Sequence, residues 1–150
     1  MALRIRPYGG WQSARGAELI EFAIVVPIFL LLLAGIFDFG MMFRTFEAVT
    51  NAAREGARVG VLPGYAPEDV EDRVDAYMGA SGLTGTYTVT VDNLPVATGA
   101  GTFTARSVTV DYTYQFAVLG PIGAFFGGTY STIPLRAVSV MRTETQAAAP

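Results

Sequence analysis

Residues 22–43 read FAIVVPIFLLLLAGIFDFGMMF, and 18 of these 22 positions are apolar. Coiled as an α-helix, the segment rises about 33 Å, enough for the ~30 Å hydrocarbon core of a bilayer. Its only charge, Asp38, stands near the far end, where water or headgroups are within reach. The competing reading is a buried core helix. The run is too long and too uniform for that in a chain of 150 residues. We therefore read it as a membrane span. The whole chain is 51% hydrophobic and 15% charged, which excludes a disordered polymer. The apolar excess is concentrated in this one segment, and the remainder has the content of an ordinary globular domain.

The flanks orient the span. Arg4, Arg6 and Arg15 precede it with no acid among residues 1–16, whereas the rest of the chain is acidic. The positive-inside rule then places the N-terminus in the cytoplasm and the C-terminal body outside, periplasmic or extracellular. A cleaved secretory signal has the same basic start and apolar centre, but it needs small residues at −3 and −1 after the run. Leu-Leu-Ala (32–34), Leu-Ala-Gly (33–35) and Asp-Phe-Gly (38–40) are poor matches, so the span is expected to stay attached. There is no Cys and no His, and every basic residue is Arg. Disulfides, thiolate metal sites and the commonest general base are thereby excluded. No metal, cofactor or enzymatic activity is expected. An acidic body without a basic patch argues against nucleic acid.

Immediately before the span, RGAELIEF sets Glu21 five residues beyond Gly16 and directly before Phe22. A carboxylate at a membrane edge is costly without a partner. Cleavage after Gly16 would create one, the new ammonium of Ala17 on a neighbouring chain. Gly16 followed by Glu21-Phe22 resembles a type IV prepilin peptidase site. The longer run RGAELIEFAIVVPIFLLLLAGIFDFG…NAAREGAR, Arg15 to Arg58, resembles the TadE-like family of the tight-adherence (Flp) pilus machinery. It includes Pro27, the Asp38-Phe39-Gly40 turn and the Ala52–Arg58 heptad. The resemblance implies that Gly16 is the −1 position, Ala17 the mature N-terminus and Glu21 the +5 residue. It implies as partners the membrane, a prepilin peptidase, other pilins or pseudopilins and the inner-membrane assembly platform, in a homo- or hetero-oligomer. Pro27 lacks an N–H and frees the Ala23 carbonyl, which predicts a kink or a tolerated membrane proline.

Arg44–Gly60, without proline, continues the helix outward. Ala48, Ala52, Gly56 and Gly60 recur every four residues as a stripe of small side chains, widened by Ala53 and Ala57. Such a stripe admits a close backbone, either a neighbouring chain or this chain's own sheet. Glu55 can pair with Arg58. Leu62-Pro63-Gly64 ends the helix, and a second one is expected from Pro67, with Val70, Val74 and Tyr77 or Met78 on its apolar face. Its acids Glu68, Asp69, Glu71, Asp72 and Asp75 lack the spacing of a calcium loop and read as a solvated face.

Period-2 alternation over 86–91 and 107–116, and less regularly over 133–142, predicts antiparallel strands with one face packed on the long helix. Gly99-Ala100-Gly101 lies between the first two. The uncharged segment AVLGPIGAFFGG (117–128) reads as a core-lining loop, with an exposed patch meeting membrane or partner as the alternative. The tail QAAAP carries no signal.

The chain thus divides into a basic prepilin-type leader (1–16), a transmembrane helix (17–43) and an extracytoplasmic α+β domain (44–150). The fold expected is α+β and pilin-like: a long helix, a short second helix and a three- to four-stranded antiparallel sheet. Function is expected to be structural, as a minor pilin or pseudopilin held in the inner membrane by a single span and taking part in pilus assembly. The alternative is a single-span envelope scaffold or surface protein with no pilus role.

Overall fold

Helix α1 runs from Gly10 to Gly60 and passes through Pro27 without interruption. This is the longest element of a computed structural model that describes residues 10–99, 101–128 and 131–143. The leader up to Gly9, with Arg4 and Arg6, Ala100 and the QAAAP tail lie outside the described residues. After α1 come α2 (Pro67–Ala80), β1 (Tyr87–Thr98), β2 (Gly101–Gln115), α3 (Leu119–Phe125) and β3 (Thr132–Arg142). Two compact units divide the chain between Phe37 and Asp38.

In the first unit the large apolar side chains of the described run are mostly bare. Phe22, Ile28, Leu32 and Phe37 are each more than half exposed. The stretch is long and apolar enough to cross a membrane, and none of its most apolar window is buried. No turn forms at Asp38-Phe39-Gly40, where one was expected: all three residues are helical. Gly40 is not among the glycines with positive φ, which are Gly64, Gly82 and Gly127.

The second unit is α+β. Its sheet has the order β1-β2-β3, antiparallel throughout. Val89 pairs with Val110 and Val91 with Val108, while Val110 also faces Ala137 and Val108 faces Ser139. These positions share one face, and they pack on Val49, Ala52, Ala53 and Ala57 of α1 and on Val70, Val74 and Met78 of α2. Each fully covered Val or Met contributes about 1.5–3 kcal/mol. β3 alternates more regularly than its sequence suggested, with Leu135, Ala137 and Ser139 buried. Its irregular look came from Val138 and Val140, which lie on the outer face and are more than half exposed. β1 is longer than expected and runs through Pro95 to a tight hairpin where Thr98 pairs with Gly101. Proline is tolerated because β1 is an edge strand, where an outward N–H has no ladder partner to lose.

Local signals fix the remaining elements. Pro67 opens α2, and the Asp69 carboxylate accepts the Ala66 N–H at 2.8 Å. Gly82, at φ +74°, turns the chain out of α2 while the Leu83 N–H reaches back to the Met78 carbonyl. Asp75 accepts the Tyr87 hydroxyl at 2.8 Å, and Tyr87 is held above the ordinary 10.0 by partial burial first and by Asp75 second. Asp111 and Arg136 form a two-point pair across β2 and β3, at 2.6 and 3.1 Å.

Candidate functional site on the long helix

Four features lie along α1: the Gly16–Phe22 segment, the apolar run, Asp38, and the small-residue stripe. The first two belong to the unit ending at Phe37. Gly16 is half-buried and has no heavy atom within 4 Å of where a Cβ would stand. Ala17, Glu21 and Phe22 are exposed, as is Pro27. Among the described residues, Ala17, Glu21 and Phe22 are thus left uncovered by this chain's own side chains.

The stripe does the opposite. Ala52, Gly56 and Gly60 are buried, whereas Ala48 is partly buried and lines a shallow cleft with Thr45, Ser81 and Leu83. A Cβ on Gly56 would stand 2.7 Å from Val74 Cγ2, 3.3 Å from Val70 and 3.4 Å from Val108. One on Gly60 would stand 3.1 Å from both Val70 and the Arg106 stem. The partner admitted by the small residues is thus this chain's own body, α2 as much as the sheet. Glu55 flanks the seam and joins the two helices, with Arg73 of α2 at 3.0 Å and Arg58 at 3.2 Å. The Arg73 hydrogen bond, outweighing partial desolvation and assisted by Arg58, holds its carboxyl below the ordinary 4.5. The acids of α2 stay on its outer side, and among the described residues no three of them converge as a metal site.

Asp38 is the residue that sequence reasoning misplaced. Expected within reach of water or headgroups, it is fully buried by protein. Its carboxylate accepts the Val118 N–H at 3.0 and 3.2 Å and the Leu119 N–H at 2.6 Å. These are backbone donors at the start of α3, which has no side-chain cap of its own. Charge-assisted bonds to the unsatisfied N–H groups of a helix start are strong and favoured by the helix dipole. The Asp38 carbonyl also accepts the Tyr114 hydroxyl at 3.3 Å. Burial, then Asp38, then Tyr112 raise Tyr114 above 10.0. Phe116 stacks edge-on against both Phe39 and Tyr114. The signal available in the sequence was that Asp38 is the only acid in an apolar run; its partners, being backbone, left no mark.

The segment 117–128 does not line the core as expected. Only Gly120 of α3 is buried, and Phe125 and Phe126 are 85% and 81% exposed. With Asp38 capping its start, the short helix is fixed at one end and presents two phenylalanines in edge-to-face contact, ring centroids 5.3 Å apart, at the other.

Residues 16–58 match the family described as TadE-like protein. The matched stretch opens at Gly16 and closes at Arg58, so it takes in the apolar run, Asp38 and most of the buried seam. No curated protein and no solved structure matches the chain.

Proposed function

We propose, from the premise of that TadE-like stretch, that this chain is a non-enzymatic assembly protein of a tight-adherence (Flp) pilus. It is a minor pilin or pseudopilin, held in the inner membrane by the apolar run with its α+β body outside. A prepilin peptidase removes the leader after Gly16, leaving Ala17 as the new N-terminus. The observation that carries this reading is the pairing of two states in one helix: an apolar run left bare by its own chain, and a following stripe of small residues covered by it. A helix bare over that length is suited first to lipid and then to the same run on other pilins and the inner-membrane platform. Glu21 at its start would meet the Ala17 ammonium of a neighbour in that packing.

Maturation is the test. Protein extracted from membranes of cells with an active prepilin peptidase should begin at Ala17 by intact mass and N-terminal sequencing. Gly16→Leu should retain the leader. A native chain that keeps Met1–Gly16 beside an active peptidase would sink the pilin reading and leave that of a single-span envelope scaffold.

A further inference from the structure

The two edges of the sheet are unlike. Just past the end of β3, the Thr143 N–H bonds the Thr104 carbonyl at 3.1 Å, one step beyond the pair of Ala105 and Arg142 in the same register. Bonded and unbonded pairs alternate along an antiparallel ladder. Thr143, Met141, Ser139, Ala137 and Leu135 therefore turn their backbone groups toward β2. Arg136, Val138, Val140 and Arg142 turn theirs away from the sheet, and among the described residues no backbone bond reaches them. The Thr113 N–H on the Thr86 carbonyl phases β1 in the same way. Pro95, which has no N–H, then falls on the outward row of β1 and interrupts that edge. On β3 the one proline, Pro134, stands near the start, and the outward row is unbroken from Arg136 to Arg142.

Charged side chains that would guard such an edge are drawn off it. The Arg136 guanidinium forks onto Asp111 of β2, and that of Arg142 lies 4.7 Å from the centre of the Phe103 ring, also on β2. Val138 and Val140, each more than half exposed, are left along the margin. A long edge in this state is a template for another strand. We propose that β3 takes up, as a fourth strand of the sheet, an extended segment of a partner polypeptide, antiparallel to Leu135–Arg142, with apolar side chains beside Val138 and Val140 and carboxylates toward Arg136 and Arg142. The segment is extended because a strand is what meets a row of alternating backbone donors and acceptors. It is apolar at its middle because cross-strand neighbours pack side by side. It is acidic at its ends because β3 carries arginine at both ends of its outward row and no acid anywhere. The same charge disfavours a second copy of the chain, whose β3 would set Arg136 opposite Arg142 in the register that pairs Val138 with Val140. All of these residues lie in the unit from Asp38 onward, and the pairing asks nothing of the apolar run.

The test follows the fluorescence anisotropy of a labelled peptide, alternating threonine and valine with a glutamate at each end, as the full chain in detergent micelles is added. Saturable binding is expected, weaker for a peptide with lysine at its ends and lost when alternate amides of the peptide are N-methylated. Val138→Pro removes an outward N–H that the chain's own ladder does not use, so near-ultraviolet circular dichroism should be retained. Affinity should fall at least about tenfold, as for the loss of a hydrogen bond in strand geometry. No saturable binding, or binding indifferent to N-methylation, overturns the proposal whether or not the proline variant folds. So does a folded Val138→Pro chain that binds as well as the parent. A chain that sediments as a dimer without peptide, and as a monomer after Val138→Pro, would give the edge to a second copy and overturn the proposal as well.

Discussion

Two stretches of α1 invert the usual relation between side-chain size and burial. Phe22–Phe37 carries Phe, Ile and Leu and leaves them bare, while Ala52–Gly60 carries mostly Ala and Gly and buries them. Hydrophobicity alone would have put the first stretch in the core and the second on the surface. The lesson is that apolar content decides which solvent a helix suits, whereas small size decides how closely another element can approach it. One helix uses both, and Asp38 stands where one regime gives way to the other.

Removing the residue at that division should have the largest effect. Asp38→Leu leaves the Val118 and Leu119 N–H groups buried without acceptors, at about 1–3 kcal/mol for each lost partner. Urea unfolding of the body in detergent micelles, followed by near-ultraviolet circular dichroism, measures it. An unchanged midpoint would mean that the carboxylate is incidental and that the two regimes need no junction. Next comes the same substitution placed in each stretch. Gly56→Val drives methyl groups into Val70, Val74 and Val108 and should cost the body about 1–3 kcal/mol. Gly35→Val, with nothing within 4 Å, should leave the body's midpoint where it was. Equal effects at the two glycines would break the contrast.

The smallest effect concerns the ion pair beside the seam. The folded-state pKa of Glu55 is depressed, so its contribution is present above the ordinary 4.5 and is lost as pH falls through the depressed value. Glu55→Gln should lower stability at neutral pH by less than about 1 kcal/mol, the range of exposed pairs. It should also converge with the parent chain in acid, after Glu55 is protonated. A difference that persists unchanged at low pH would assign the loss to shape rather than charge.

The parts of this fold that were legible in sequence are those whose signal is local. Pro67 with its following acids marked α2, and the alternation of Val108, Val110, Tyr112 and Tyr114 marked the buried face of β2. The parts that were not legible depend on what an element meets at a distance. The stripe of Ala52, Gly56 and Gly60 allows any close neighbour, so spacing could not choose between Val74 of the same chain and a second molecule. Asp38 finds its partners 80 and 81 residues away in the backbone, and a backbone donor has no residue type to announce it. The length of β1 was hidden because Asn93, Leu94 and Pro95 break the alternation that edge strands are not obliged to keep. For the Gly16–Phe22 segment, the legible part was chemical. On the function proposed above, its meaning lies in an encounter with another protein, which the fold of a single chain does not record.

The alanine-and-valine character of the body's core has a thermal consequence. Val49, Ala52, Ala53, Ala57, Val70, Val74, Val108, Val110 and Ala137 expose little apolar area each when the body unfolds. Heat-capacity increments follow that area, and ordinary domains show about 12–15 cal/mol/K per residue. The body should fall below this range, which flattens the dependence of stability on temperature. Such a fold changes little in strength between a cold and a warm surface, because its cohesion comes from how near its backbones lie rather than from how much oil they hide.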